Sequence, residues 1–244
     1  MKKMIFALTL FCLTGLAGTA AAAVDNTLYA QLLSKHVHKG RVDYSGFKTD
    51  EQILDQYLDQ LSRTDPGTLS RTARFAFYIN VYNAFTIKLI LTKYPGINSI
   101  KEIGSFFSGP WDKKFIPLNG RTVTLDHIEH EILRPQFKDP RVHVAINCAS
   151  KGCPPLRSEP YEPETLEAQL DEQARAFINS PRFNRFKEGT LYLSRIFKWF
   201  KEDFNDNPLP FVRQYAAPPL AHHLSGTGQD IRISYLDYDW SLNQ

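Results

Sequence analysis

Two cysteines and a histidine lie close together in one stretch of the chain and could carry covalent chemistry. Cys148 and Cys153 enclose a short loop containing Gly152, and His143 stands just before them. A thiolate is a strong nucleophile, and histidine can take or give a proton near neutral pH. We interpret the cysteines first as a disulfide and second as a nucleophile, with Cys148 the candidate. A metal site fits least, because C-x4-C lacks the tight spacing of structural zinc sites. We therefore expect neither a metal nor another cofactor.

The segment around His143 predicts a strand. Residues 141–147 are rich in β-branched side chains, so we expect a core strand there. Strand alternation then places His143 and Asn147 on one face and Cys148 on the other, unless a turn begins at Asn147. His143 has two open interpretations, a strand histidine that donates to a backbone carbonyl or an active-site residue.

A second polar cluster stands on the predicted helix 124–133. One side of this helix carries His127, His130, Glu131 and Arg134. These residues could bind a metal or exchange protons, or they could form a solvated helix face. The chain runs directly from this helix into the predicted strand. We therefore expect His130 and His143 to meet at one cleft.

Two asparagines interrupt a long apolar helix predicted over residues 70–94. Asn80 and Asn83 are one turn apart, and the helix is apolar on nearly every side. Buried amides need hydrogen-bond partners outside their own helix. They either tie the helix to neighbouring loops or line a cleft and bind a ligand.

The remaining pattern predicts an α+β fold, a helix-rich domain with a small mixed or antiparallel sheet. Leu118-Asn119-Gly120 predicts a β-hairpin between residues 113–116 and 121–123. Further helices are predicted at 26–38, 50–61, 162–180, 194–204, 208–215 and 219–224, and further strands at 41–44, 190–193 and 230–235.

The amino terminus predicts export. Lys2 and Lys3 precede a short apolar run and then four alanines that end at Ala23, the pattern of a cleavable signal peptide. We expect a signal peptide at 1–23, a single globular domain at 24–244, a periplasmic or secreted location and no membrane span after cleavage. The mature chain has a net charge of about +1 and no basic block, so nucleic acid is not expected as a partner.

Four sequence blocks resemble the domain of unknown function family 547, in its exported bacterial form. They are Phe77-Tyr78-Ile79-Asn80-Val81-Tyr82-Asn83-Ala84, Leu125-Asp126-His127-Ile128-Glu129-His130-Glu131-Ile132-Leu133-Arg134, the segment from His143-Val144-Ala145-Ile146-Asn147-Cys148 to Pro155-Leu156-Arg157, and Tyr238-Asp239-Trp240-Ser241-Leu242-Asn243. The blocks span most of the chain in order.

At the level of the fold, the chain is also similar to papain-like and transglutaminase-like cysteine hydrolases. In those enzymes a thiol opens a core helix and a histidine follows on a strand. His143 would take the place of that histidine, whereas the core helix here offers Asn80 or Asn83 and no cysteine. Fold similarity alone does not establish a function.

Two functions follow from these residues as expectations. The first is a hydrolase or acyltransferase for amide or ester bonds in the cell envelope, with a small-molecule or peptide ligand. The candidates for catalysis are His143, His130, Asn80 and Cys148, and those for substrate binding are Asn83 and Asn147. The second is a non-catalytic binding or scaffolding module on a degenerate hydrolase-like fold.

Overall fold

The fold was examined in a computed structural model, which describes residues 24–104, 108–225 and 231–244. The predicted signal peptide lies outside these residues. The α-helices are α1 (Thr27–His36), α2 (Tyr44–Thr49), α3 (Glu51–Arg63), α4 (Arg71–Leu91), α5 (Val142–Ala145), α6 (Leu166–Ile178), α7 (Ile196–Trp199), α8 (Leu209–Tyr215) and α9 (Leu220–Ser225). A π-helix spans His127–Phe137, and 3-10 turns occur at Pro66–Thr68, Ile100–Ile103 and Lys201–Phe204.

In the part of the chain that the structure describes, short strands form three separate small sheets. The strands are β1 (Val37–His38), β2 (Arg41–Val42), β3 (Ile116–Leu118), β4 (Arg121–Val123), β5 (Arg185–Lys187), β6 (Thr190–Leu193) and β7 (Arg232–Tyr235). β1–β2 and β3–β4 are antiparallel hairpins, and β5–β6–β7 is a mixed sheet in which β6 and β7 run parallel. The predicted α+β class is confirmed.

The β3–β4 hairpin turns where the sequence predicts. Asn119 and Gly120 both have positive φ, +46° and +71°, which matches the right-handed twist of the flanking strands. The first strand lies two to three residues later than predicted. It starts at Ile116, whose side chain is fully buried.

Helix α4 is the central buried helix, as predicted. Ser70 caps its first turn by accepting a hydrogen bond from the Ala73 N–H. Both asparagines are buried, at 1% exposure for Asn80 and 3% for Asn83. The apolar residues around them belong to a core that α1, α2, α3 and the π-helix share.

The predicted strand over residues 141–147 is wrong, because the segment forms the single turn of α5. Asp139 accepts a hydrogen bond from the Arg141 N–H, and the His143 N–H bonds to the Pro140 carbonyl, so the chain turns helically. Every residue from Val142 to Asn147 is buried. A short continuous apolar run occurs both in buried strands and in buried helical turns. The amino-acid composition of this segment therefore could not distinguish the two.

Helix α5 lies between two apolar clusters. Val142 and Ala145 pack in the cluster around α4, while Val144 packs in the second cluster around α6, α7 and α8. This position fixes the direction of His143.

Among the described residues, no helix is long and apolar enough to cross a membrane.

The π-helix differs from the prediction at its end. It is capped as expected, since Thr124 Oγ1 accepts a hydrogen bond from the His127 N–H. It then continues past Pro135 to Phe137. Wide helical turns often accompany functional sites, and this helix carries one wall of the site described next.

Candidate functional site

An asparagine shapes the loop that carries both cysteines. Asn147 donates from Nδ2 to the Pro154 carbonyl (2.8 Å), and its Oδ1 accepts from the Ala149 N–H (2.9 Å). One side chain therefore closes the loop and sets its first turn. Ala149 has φ +61°, a strained value for a residue with a Cβ, which the Asn147 contact supports.

The carboxy-terminal block packs along the same loop. The Lys151 and Gly152 N–H groups donate to the carbonyls of Ser241 and Asp239, each at 2.8 Å. The Tyr238 ring lies so close to Gly152 that a Cβ there would meet it at 2.8 Å. Glycine is thus required beside Tyr238.

The predicted disulfide is absent, since both cysteines are free thiols. Their Sγ atoms are 2.8 Å apart, well beyond a sulfur–sulfur bond of about 2.05 Å. Cys153 is buried, and its Sγ accepts from the Cys148 N–H (3.0 Å). Cys148 is only partly buried and reaches the pocket. The expected bridge is therefore corrected to a pair of thiols in contact.

The surroundings of Cys148 favour its thiolate. Burial raises the pKa of this thiol, but hydrogen bonds from Cys153, Ser150 and Tyr238 outweigh burial and lower the pKa to about 7. The Tyr238 hydroxyl accepts from Ser150 (3.0 Å) and lies 3.1 Å from Cys148 Sγ, so its own proton points to the sulfur. For Cys153, burial and the neighbouring Cys148 raise the pKa well above 9.

A buried carboxyl group faces the same pocket. Glu129 projects from the π-helix and is 7% exposed, with the Tyr82 hydroxyl donating to it at 3.1 Å. Burial raises its pKa to about 8, with the Cys148 charge adding to the effect. Glu129 is therefore protonated near neutral pH, when much of Cys148 is ionised. Groups whose pKa values are displaced in opposite directions can serve as acid and nucleophile.

His143 is hydrogen-bonded to the carboxylate of Asp203, which Arg134 also contacts. Its Nε2 lies 2.6 Å from Asp203 Oδ2, and Arg134 Nε donates to the same oxygen at 2.6 Å. These bonds outweigh burial and lower the pKa of Asp203 to about 2. An ionised carboxylate can only accept, so Nε2 of His143 carries the proton and Nδ1 keeps the lone pair.

His143 stays neutral at neutral pH and cannot reorient freely. Burial lowers its pKa, although Asp203 acts in the opposite direction. Its ring stacks on Phe200 at 4.0 Å between centroids, and its side chain is 1% exposed. A neutral, oriented histidine whose Nδ1 keeps its lone pair has the form of a general base.

His130 joins the same network, as predicted. Arg134 Nη1 donates to His130 Nδ1 (2.8 Å), and the His130 ring lies on Phe200 at 6.2 Å. Both histidines line one pocket. His127 and Glu131, also on this helix, are exposed to solvent.

The pocket has a volume of about 180 Å³ and a largely aromatic wall. Trp240 contacts Trp111, Trp199 and Tyr238, with ring centroids 4.5 to 5.8 Å apart. Trp199 is 44% exposed at the mouth. The described lining residues are Tyr82, Trp111, Asp126, Glu129, His130, His143, Ile146, Cys148, Cys153, Ile196, Trp199, Phe200, Tyr238 and Trp240.

The asparagines predicted for catalysis and substrate binding are not among these lining residues. The Asn80 side chain donates from Nδ2 to the Tyr161 carbonyl (2.8 Å) and accepts at Oδ1 from the Tyr161 N–H (2.9 Å). Asn83 donates to the Ala145 carbonyl and accepts from the Asn147 N–H. Their predicted burial and pairing beyond the helix are confirmed. Asn80 is 1% exposed and does not line the pocket, so it is not placed to donate to an oxyanion there. Asn83 and Asn147 hold the cysteine loop.

Sequence reasoning missed three residues of the site. Asp203 is 60 positions from His143 and lies outside the recognised blocks. Glu129 was not among the polar-side candidates of its helix, although a carboxyl among apolar residues is itself an indication of function. Tyr238 lay in a recognised block without an assigned role. Within the described residues, no three His, Cys, Asp or Glu side chains are grouped so as to hold a metal ion.

Residues 66–178 match the family model described as "Protein of unknown function, DUF547". Over this segment the chain matches that family's model, so the resemblance predicted from the sequence blocks is confirmed there. The match covers α4, the π-helix and the cysteine loop and ends before Tyr238. No curated protein and no solved structure matches the chain. The similarity to papain-like and transglutaminase-like hydrolases stays a prediction.

Proposed function

We propose that this DUF547 protein is a thiol-dependent enzyme that hydrolyses or transfers acyl groups from esters or amides. One observation carries the proposal: Cys148 lines the same pocket as His143, which is held by an ionised Asp203. Cys148 supplies a nucleophile that is ionised near neutral pH, and His143 supplies a base.

The reaction assigns a proton to each group. The Cys148 thiolate attacks the carbonyl carbon, and protonated Glu129 gives its proton to the departing alcohol or amine. The product is a thioester on Cys148. His143 Nδ1 then takes a proton from water or an acceptor alcohol, which attacks the thioester and releases Cys148 as thiolate. The proton on His143 returns to Glu129, so the site is restored.

The test is single-turnover acylation with p-nitrophenyl acetate. We expect one acetyl group on Cys148 by peptide mass spectrometry, with a rate that rises through about pH 7. Cys148→Ser should lose the rapid release of p-nitrophenol, while Cys153→Ser keeps a thiol in the pocket and should still be acetylated. Acetylation confined to surface lysines, at the same rate in Cys148→Ser, would refute the proposal.

A binding module is the second candidate, and one observation favours it. The His143 side chain is buried, paired with Asp203 and covered by Phe200, as expected of a histidine that only holds the fold together. A module would bind a small aromatic amide such as benzamide at the tryptophan wall and change the fluorescence of Trp199. It would give no acyl-thiol on Cys148 at any pH.

Export is part of the proposal. The basic start, apolar run and alanines of residues 1–23 support processing and a periplasmic or secreted location. Mass spectrometry of the protein from its native host should find a first residue between Ala22 and Asp25. An intact Met1 on the purified protein would contradict this.

A further inference from the structure

We infer that Cys148 and Cys153 form a thiol–disulfide exchange centre, in which Cys148 attacks a disulfide-bonded substrate and Cys153 completes the exchange. Acyl transfer needs one thiol, whereas the structure holds two with their Sγ atoms 2.8 Å apart. A second thiol in contact with a nucleophilic one can resolve the mixed disulfide that the first attack forms. This activity goes beyond the proposed acyl transfer and can be present or absent independently of it.

The two thiols are unequal in access. Both thiols line the pocket, but Cys148 is only partly buried, whereas Cys153 is 7% exposed. A substrate disulfide in the pocket therefore meets Cys148 first. The Tyr238 hydroxyl accepts from Ser150, lies 3.1 Å from the Cys148 sulfur and donates its own proton to the thiolate, which stabilises it. Cys148 is thus the attacking thiol and Cys153 the resolving thiol.

The loop holds the two cysteine side chains in contact without a covalent bond between them. Asn147 closes the loop through Pro154, and the Cys148 N–H donates to Cys153 Sγ. Backbone hydrogen bonds from Lys151 and Gly152 to the carbonyls of Ser241 and Asp239 hold the other side of the loop. Bond formation needs the sulfurs to approach by less than about 1 Å, so oxidation and reduction require little rearrangement of the surrounding chain.

The exchange balances in two steps. The Cys148 thiolate attacks one sulfur of a substrate disulfide, forms a mixed disulfide and releases the other half as a thiolate. Cys153 gives its proton to that thiolate and attacks Cys148 Sγ, which releases the second half of the substrate as a thiolate that is protonated by water. Two electrons pass from the protein dithiol to the substrate, and a Cys148–Cys153 disulfide remains. A dithiol substrate then reverses these steps and returns Cys148 and Cys153 to their reduced state.

Intact-mass measurement with oxidised glutathione tests the assignment. The reduced full-length mature chain should lose two hydrogens and carry no lasting glutathione adduct, because Cys153 resolves it. Cys153→Ser should accumulate one glutathione on Cys148. Cys148→Ser should react at least about tenfold more slowly, because the remaining thiol is buried and protonated. Circular dichroism verifies that both variants fold.

Two results would overturn the inference. The first is wild-type protein that stops at the glutathione adduct. The second is equal modification rates for Cys148→Ser and Cys153→Ser. Neither measurement uses an acyl substrate, so failure of exchange leaves the acylation result intact, and failure of acylation leaves the exchange result intact.

Discussion

Two histidine–aspartate pairs in this molecule have almost the same geometry and different surroundings. His36 Nε2 lies 2.7 Å from Asp50 Oδ2, and His143 Nε2 lies 2.6 Å from Asp203 Oδ2. A cation accompanies each carboxylate, Lys35 in one case and Arg134 in the other. Both histidine side chains are buried and both rings pack on a phenylalanine. The pair alone therefore does not identify an active site.

The neighbours make the difference between the two pairs. His36 packs against Gly46 so closely that a Cβ there would meet Nδ1 at 2.2 Å, so no substrate can reach that nitrogen. His143 instead lines a pocket that also holds Cys148 and Glu129. A buried histidine–aspartate pair becomes a candidate for catalysis when a nucleophile and a proton donor share its cavity.

The largest expected effect comes from replacing the two histidines in parallel. Glutamine can still donate to the aspartate but cannot take a proton. His143→Gln should lower the turnover of p-nitrophenyl acetate by about 10²–10⁴-fold, the usual contribution of a general base. His36→Gln should change turnover by less than about threefold, because it lies outside the pocket.

Thermal unfolding supplies the control for this pair. Both substitutions leave a partly exposed carboxylate with a weaker partner, so each should lower the melting temperature. Equal losses of turnover in the two variants, matching their losses of stability, would show that His143 serves the fold as His36 does. The binding module would then be the better function.

Parts of this comparison were accessible from the sequence, and parts were not. Asn80 and Asn83 were predicted correctly because an amide inside an apolar helix must find partners. Residues 141–147 were misassigned because a short buried run has no period that distinguishes strand from helix. The pairing of Asp203 with His143 could not be predicted from local sequence patterns, because the two residues meet only when α7 and the following 3-10 turn pack on α5. The shared cleft of His130 and His143 was nevertheless predicted, because the chain passes directly from one to the other.

The second effect is a difference in how the two regions respond to pH. Near His36, hydrogen bonds from Lys35 and His36 lower the pKa of Asp50, so its contribution to stability is lost as acid is added. Glu129 behaves oppositely. Its pKa is about 8 in the folded chain against an ordinary 4.5, so its contribution is present below pH 4.5 and is lost as the pH rises towards 8.

Glu129→Gln should remove this loss, because glutamine keeps the acceptor for Tyr82 and does not ionise. Between pH 5 and 7, we expect wild-type stability to fall relative to the variant by up to about 1.4 kcal/mol per pH unit. Above pH 7 the ionisation of Cys148 contributes with the opposite sign, so the lower window is the informative one. Glu131→Gln on the exposed side of the same helix is the matched control. Parallel melting curves for wild type and Glu129→Gln across that window would contradict a protonated Glu129.

The smallest effect concerns the feature that has no counterpart near His36, a phenol that holds a thiolate. Tyr238 Oη lies 3.1 Å from Cys148 Sγ and accepts from Ser150, so its proton is directed to the sulfur. Tyr238→Phe removes this donor while keeping the ring that packs on Gly152. A hydrogen bond to a charged group contributes about 1.5 kcal/mol or more, so the pKa of Cys148 should rise by roughly 1. The pH profile of iodoacetamide alkylation should shift to higher pH accordingly, with a roughly tenfold lower rate at pH 6.

Tyr235→Phe, which alters a partly buried tyrosine in β7, should leave the profile unchanged. If Tyr238→Phe alkylates with the wild-type profile, the remaining contacts from Cys153 and Ser150 suffice to hold the thiolate, and Tyr238 contributes only its packing against the loop.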